Sequence, residues 1–224
     1  SFDRALRQLS PRLGLRVYEL MVQPIGVKAL LPPNLTRNLT FGFIGRDHPD
    51  VSRMALRDGI LDARLDQGAR CMGVWRKGTL IGYLWFCSGR YHEDEVRCTY
   101  ELTETDVSVF DFDLVVLPEH RLGIGFMAVW HAADQLLRER GVRFTFSRLT
   151  RFNVASRRAH AHLGWRCVGR AVFVEIFGAE VMLATLPPFV GLTWGTRRVH
   201  LRLAPHALSS AALASEQPPV ESSP

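Results

Sequence analysis

The 224-residue sequence predicts an α/β fold in which a mixed central sheet of about seven strands is flanked by helices. Three observations carry that prediction. Strand-like runs outnumber helical ones along the whole chain. In the second half two patterned helices each follow directly on a strand. The resulting order, strand, helix, strand, helix and then strands, requires a parallel crossover in the middle of the sheet. With 47% hydrophobic and 22% charged residues, the chain suits one globular domain with a sizeable core rather than a disordered polymer.

Residues 1–38 read as an N-terminal extension packed on the domain: a basic amphipathic start, a strand at "LRVYELMV", and a turn-rich connection at "LLPPNLTRN". The domain itself spans 39–186. "LTFGFIG" is a strand, and "DVSRMALRDGILDARLDQG" is a helix with Asp50 as N-cap and Gly68 as stop. "ARCMGVW" and "TLIGYLWFCS" flank "RKG" as a hairpin. "EVRCTYEL" and "DVSVFDFDLVVL" follow as strands around the turn "TETD". "GIGFMAVWHAADQLLRERG" is the strongest helix, because Phe126, Val129, Trp130, Ala133, Leu136 and Leu137 recur at helical spacing before Gly141. "VRFTFSRL" is the next strand, "NVASRRAHAHLGW" the next helix, and "CVGRAVFVEIF" with "EVMLATL" a hairpin around Gly178. Residues 187–204 are expected to pack on the domain, and 205–224 to form a disordered tail.

Four cysteines without CxxC or CxxH spacing point to neither a disulfide framework nor a zinc site, so a reduced, cytoplasmic protein is the default reading. The longest uncharged run, 181–196, is broken by Pro187 and Pro188 and is shorter than the roughly 20 residues of a spanning helix. A net charge of +6 favours anionic partners. No helix-turn-helix pattern, RNP motif or aromatic-interleaved basic stripe points to nucleic acid.

Two strand-to-helix junctions carry chemical potential. In "LVVLPEHRLGIGF" a strand ends at Pro118 and a loop with Gly123 and Gly125 opens the strong helix. Free amides of a first helical turn, at the positive end of the helix dipole, suit a phosphate or pyrophosphate. The loop lacks the GK[ST] of a Walker motif and the third glycine of a dinucleotide fingerprint. The second junction is "NVASRRAHAHLGW", with Asn153 as N-cap, Ser156 in the first turn and Gly164 as stop.

"VLP" followed by "HRLGIG", and later "NVASRRAHAHLGW", resemble in that order the two signatures of the GNAT superfamily of acyl-CoA-dependent N-acyltransferases, across roughly residues 39–186. The resemblance implies a sheet splayed between two central parallel strands. The donor would be acetyl-CoA or another acyl-CoA, with its pantetheine arm in the gap and its pyrophosphate on the glycine loop. The implied donor-binding residues are Val115, Val116, His120, Arg121, Leu122, Gly123, Ile124, Gly125, Phe126, Asn153 and Ser156. His120 stands where the family carries a leading Gln or Arg, Arg121 is adjacent, and the loop is one residue short.

The implied reaction is direct attack of an amine on the thioester, without a covalent enzyme intermediate and with no need for a metal. Val115 or Val116 would supply the backbone N–H that holds the oxyanion. The candidate bases are Asp111, Asp113 and Glu101, with Glu175 on a later strand; a one-residue change of register reverses whether Asp111 and Asp113 face the cleft. His160 stands at the family's tyrosine position and is the candidate acid toward the departing thiolate. His162 faces elsewhere on the helix. "YHEDEVR" is a candidate lining for a cationic acceptor. A basic surface also suits an acidic acyl carrier protein, and the apolar "FVGLTW" offers an interface for a homodimer. The alternative reading is a GNAT-like module that binds CoA or a partner protein without catalysis.

Overall fold

The computed structural model describes residues 14–26, 30–151 and 153–205. In chain order they form β1 (Leu15–Pro24), a single helical turn α1 (Pro33–Thr36), β2 (Leu39–Ile44), α2 (Ile60–Asp66), β3 (Arg70–Arg76), β4 (Thr79–Cys87), β5 (Arg90–His92), β6 (Cys98–Leu102) and β7 (Ser108–Val116). There follow α3 (Gly125–Glu139), β8 (Phe144–Thr150), α4 (Val154–Ala161), β9 (Arg166–Ile176), β10 (Ala179–Ala184), β11 (Val190–Trp194) and β12 (Val199–Leu203). The expected tail lies outside the described residues beyond Pro205, as does the basic start before Gly14.

Nine strands form one sheet in the order β11-β10-β9-β1-β8-β7-β4-β3-β2, and β12-β6-β5 form a second. Within the large sheet β7 and β8 are the parallel pair, and the other neighbours are antiparallel. The count exceeds the seven strands predicted because β11 extends the sheet and β1 enters its interior. The strand within the expected N-terminal extension pairs with β8 on one edge and β9 on the other. Both of its faces are covered, which explains its nearly continuous apolar run.

β6 leaves the large sheet altogether, pairing instead with β5 and, in parallel, with β12. Its inward residues Cys98, Tyr100 and Leu102 are buried against the large sheet, where Tyr100 stacks on Phe110 at 4.7 Å and Tyr91 of β5 on Phe112 at 4.0 Å. On the opposite face α3 buries Val129, Trp130, Ala133 and Leu137 of the predicted stripe, together with Ala128 and Ala132, while Phe126 and Leu136 are half-buried. The sheet therefore has an α3 face and a small-sheet face.

The helix expected over 50–68 divides in two. Asp50 is not an N-cap: its carboxylate accepts from Trp75 Nε1 at 2.7 Å, within a short 3-10 turn at Pro49–Arg53. Gly59, at φ +76°, restarts the chain as α2, and Gly68 ends it as expected. The "RKG" hairpin places Lys77 and Gly78 at φ +51° and +78°, the two positive values of a type I′ turn. No described helix is long and apolar enough to cross a membrane.

Candidate active site

The centre of the large sheet opens where β7 and β8 separate. They pair only at Ser108/Phe144, Val109/Thr145 and Phe110/Phe146; beyond that β7 stays with β4 and β8 with β1. Both strands end in loops that begin helices, α3 and α4, so the gap lies at the carboxyl ends of two parallel strands, where open α/β sheets bind ligands.

A β-bulge sits at the lip of this gap. Phe112 pairs with Trp85 and Val115 with Tyr83, so Asp113 and Leu114 together oppose Leu84, and Asp113 takes φ +47°. The extra residue resets the alternation of side chains: Phe112 packs on the small-sheet face, Leu114 on the α3 face and Val115 on the small-sheet face again. It also sets the backbone. Leu117 N–H donates to Ile81 O at 2.9 Å, so alternation turns Val115 toward β4 and turns Leu114 and Val116 toward the gap. Of the two amides proposed from sequence, that of Val116 faces the opening. Gly82 permits this approach, since a Cβ there would lie 2.5 Å from Val115 O and 2.8 Å from Val129.

The bulge separates the two aspartates that the sequence places on one side. Asp111 lies on the α3 face, 4% exposed, with Oδ2 lacking a hydrogen-bond partner among the described residues. Burial pushes its carboxyl up to about 7, opposed by the Thr145 hydroxyl and its own backbone. Asp113 turns to the small-sheet face and accepts from Arg64 Nη2 at 2.6 Å. Glu101 is not brought to the gap. Its neighbours Tyr100 and Leu102 point into the core, so it faces outward from the small sheet, bonds to His200 at 2.7 Å and lines a different cavity of about 830 Å³. The hydrogen bond to His200 holds its carboxyl below the usual range. Glu175 is exposed on β9.

The glycine loop forms a 3-10 turn over Pro118–His120 and then the turn leading into α3. Gly123 has φ +106°, and a Cβ on Gly125 would lie 2.4 Å from His120 O and 2.6 Å from Val116. Backbone conformation thus demands the first glycine and packing the second. The turn's product is an α3 first turn whose amides have no intrahelical acceptor, preceded by an exposed Leu122 and by Ile124. Arg121 Nε donates to Val116 O at 3.2 Å, and His120 Nε2 is buried without a partner among the described residues. At α4, Asn153 accepts from the Ser156 N–H at 3.0 Å, the N-cap that its position predicts. His160 is 5% exposed and meets Phe126 and Trp130 of α3 edge-on at 5.3 and 5.5 Å. Burial pulls its imidazole down to about 4, so it is neutral at neutral pH.

On the small-sheet face the gap meets a cavity of about 120 Å³ lined by Arg57, Arg64, Asp94, Glu95, Asp113 and Arg148. Asp94 and Glu95 come from the "HEDE" cluster. Arg148 bonds to the buried Glu93 at 2.7 and 2.6 Å and lies over the Tyr18 ring, while Tyr18 donates to Glu95 at 2.7 Å. Sequence reasoning missed Arg64 and Arg148. Each occupies a core-facing position: Arg64 beside Leu61 and Leu65 on α2, Arg148 after Phe144 and Phe146 on β8. An arginine inside an apolar period is the signal that would have found them.

Residues 39–165 match the family described as Acetyltransferase (GNAT) family. Among solved structures, a GNAT-family protein of Novosphingobium aromaticivorans is similar at a TM-score of 0.50 and 13% identity, covering 71% of this chain and 63% of that one. A glucosamine N-acetyltransferase region of a fungal multi-domain GH3 beta-N-acetylglucosaminidase gives 0.46 and 14%, covering 75% and 22%. AAC(6')-Iy, in complex with the bisubstrate analog CoA-S-monomethyl-acetylneamine, gives 0.41 and 21%, covering 56% and 89%. The chain thus spans less than two thirds of the first two, and at these identities the likeness is one of fold. No curated protein matches the sequence.

Proposed function

The chain belongs to the acetyltransferase (GNAT) family, and on that premise we propose that it transfers an acetyl or longer acyl group from acyl-CoA to an amine by direct attack. The observation that carries the mechanism is the state of Asp111. A carboxyl on the α3 face at the apex of the gap, buried, with one oxygen unbonded among the described residues and its pKa moved to about 7, is poised as a general base near neutral pH.

In this reading the donor lies along the gap with its pyrophosphate at the first turn of α3. The Val116 N–H polarises the thioester carbonyl and stabilises the oxyanion. The amine enters from the small-sheet face through the cavity beside Glu95, whose carboxylate favours a cationic acceptor. Asp111 first takes a proton from the entering ammonium; the neutral amine then attacks and forms the C–N bond, the positive nitrogen loses its second proton to solvent, and collapse breaks the C–S bond. The thiolate is then protonated from solvent. His160, neutral and wedged between Phe126 and Trp130, shapes the wall of the gap in place of the acid role expected from sequence.

A thiol-release assay with acetyl-CoA and a panel of amines tests the proposal. The expected result is amine-dependent release of CoA, with cationic acceptors ahead of neutral ones. Binding of acetyl-CoA with no release across the panel would indicate a CoA-binding module instead.

A further inference from the structure

We infer that Arg64 is a positioning residue for the transfer step: through Asp113 it latches the β7 bulge and thereby aims the Leu114 and Val116 amides into the gap. The inference rests on the reading that the Val116 amide meets the thioester carbonyl. Asp113 holds a left-handed φ of +47°, a conformation that residues with a Cβ rarely adopt. Strain of that kind persists only where neighbours over-determine it.

Arg64 provides the restraint. Its Nη2 donates to Asp113 Oδ2 at 2.6 Å and to Asp94 Oδ2 at 2.5 Å, and its Nε donates to Asp94 at 2.9 Å. The guanidinium is buried over Trp85 at 5.3 Å and Phe112 at 5.1 Å, the register pair immediately before the bulge. One side chain from α2 therefore holds both the last regular pair and the first irregular residue. A planar fork is suited to that task as an ammonium is not.

Without the extra residue, alternation beyond Phe112 reverses: Val115 would face the gap and Val116 would turn toward β4. The latch thus selects which amides are offered to the donor. It also removes Asp113 from the candidate bases, since that carboxylate is committed to the arginine.

The test compares Arg64→Met, Arg64→Lys, Asp113→Asn and Asp113→Ala. Asn tolerates positive φ and still accepts from Arg64, so Asp113→Asn should keep kcat within about threefold. Arg64→Met and Asp113→Ala should each lower kcat about 10-fold or more with the Kd for acetyl-CoA unchanged, Arg64→Lys should fall between, and the variant that combines Arg64→Met with Asp113→Ala should be no worse than the poorer single one. In amide NMR spectra the Leu114 and Val116 signals should move in Arg64→Met and Asp113→Ala but not in Asp113→Asn. A 100-fold loss in Asp113→Asn would overturn the inference by making Asp113 the base. Unmoved amide signals in Asp113→Ala, which leaves the buried arginine in place, would also overturn it. Because the spectra need no turnover, they decide on the latch even if the wild-type protein transfers no acyl group.

Discussion

The two faces of the splayed strands are built on opposite principles. On the α3 face Asp111, His160 and Trp130 sit in an apolar layer, with Asp111 Oδ2 and Trp130 Nε1 lacking partners among the described residues. On the small-sheet face Arg64, Asp94, Asp113, Arg148 and Glu93 form a bonded ionic network. Burial moves the titration of the first set, whereas pairing fixes the geometry of the second. Two aspartates of one type, two residues apart on one strand, consequently have different chemistry. Identity and spacing alone do not assign a face; the bulge at Asp113 does.

The contrast is broken most severely at Glu93, which is 1% exposed and holds the largely buried Arg148. Glu93→Gln leaves that arginine without its main counter-charge and should cost about 3 kcal/mol of stability, read as a lowered denaturation midpoint. Little change in the midpoint would show that Glu95, 3.4 Å from Arg148, suffices as a partner.

Next in size is Asp111→Asn on the other face. Loss of the base should lower kcat by about 100-fold or more while acetyl-CoA binding persists. In the wild-type protein kcat/KM should rise about tenfold per pH unit below about 7 and then level off, because the group pushed up to about 7 must lose its proton. That limb should vanish in Asp111→Asn and survive in Asp113→Asn; the reverse pattern would exchange the two roles.

The smallest effect on turnover is expected from His160→Phe, less than about tenfold. A loss of 100-fold would restore the general-acid role. Its clearer readout is stability against pH. Asp111 titrates higher in the folded protein than in the unfolded chain, so it takes stability away as pH rises from about 4 to 7. His160 titrates lower when folded, so it takes stability away as pH falls from about 6.5 to 4. In the wild-type protein the two slopes oppose each other. His160→Phe should leave stability falling with rising pH, and Asp111→Asn should leave it rising, each by at most about 1.4 kcal/mol per pH unit.

Much of the fold is legible in local patterns. Most of the α3 stripe, the hairpins around Gly78 and Gly178, the Asn153 cap and the order of elements around the gap follow from periodicity and turn chemistry, which act over a few residues. The split of the 50–68 helix was not legible, because Trp75, 25 residues away, takes the Asp50 carboxylate that would have capped it. The place of β6 was not legible either, since its partner β12 lies about a hundred residues later.

At the site the sequence by itself determined the family, the glycine turn and the residue types available for acid-base work, because these are written in contiguous motifs. Only the tertiary structure decided which carboxylate lies at the apex of the gap, which sits beside Arg64 and which faces outward with His200. A strand's side chains alternate, so one inserted residue at Asp113 exchanges the faces of all that follow it, and that insertion is visible only in the pairing of β7 with β4.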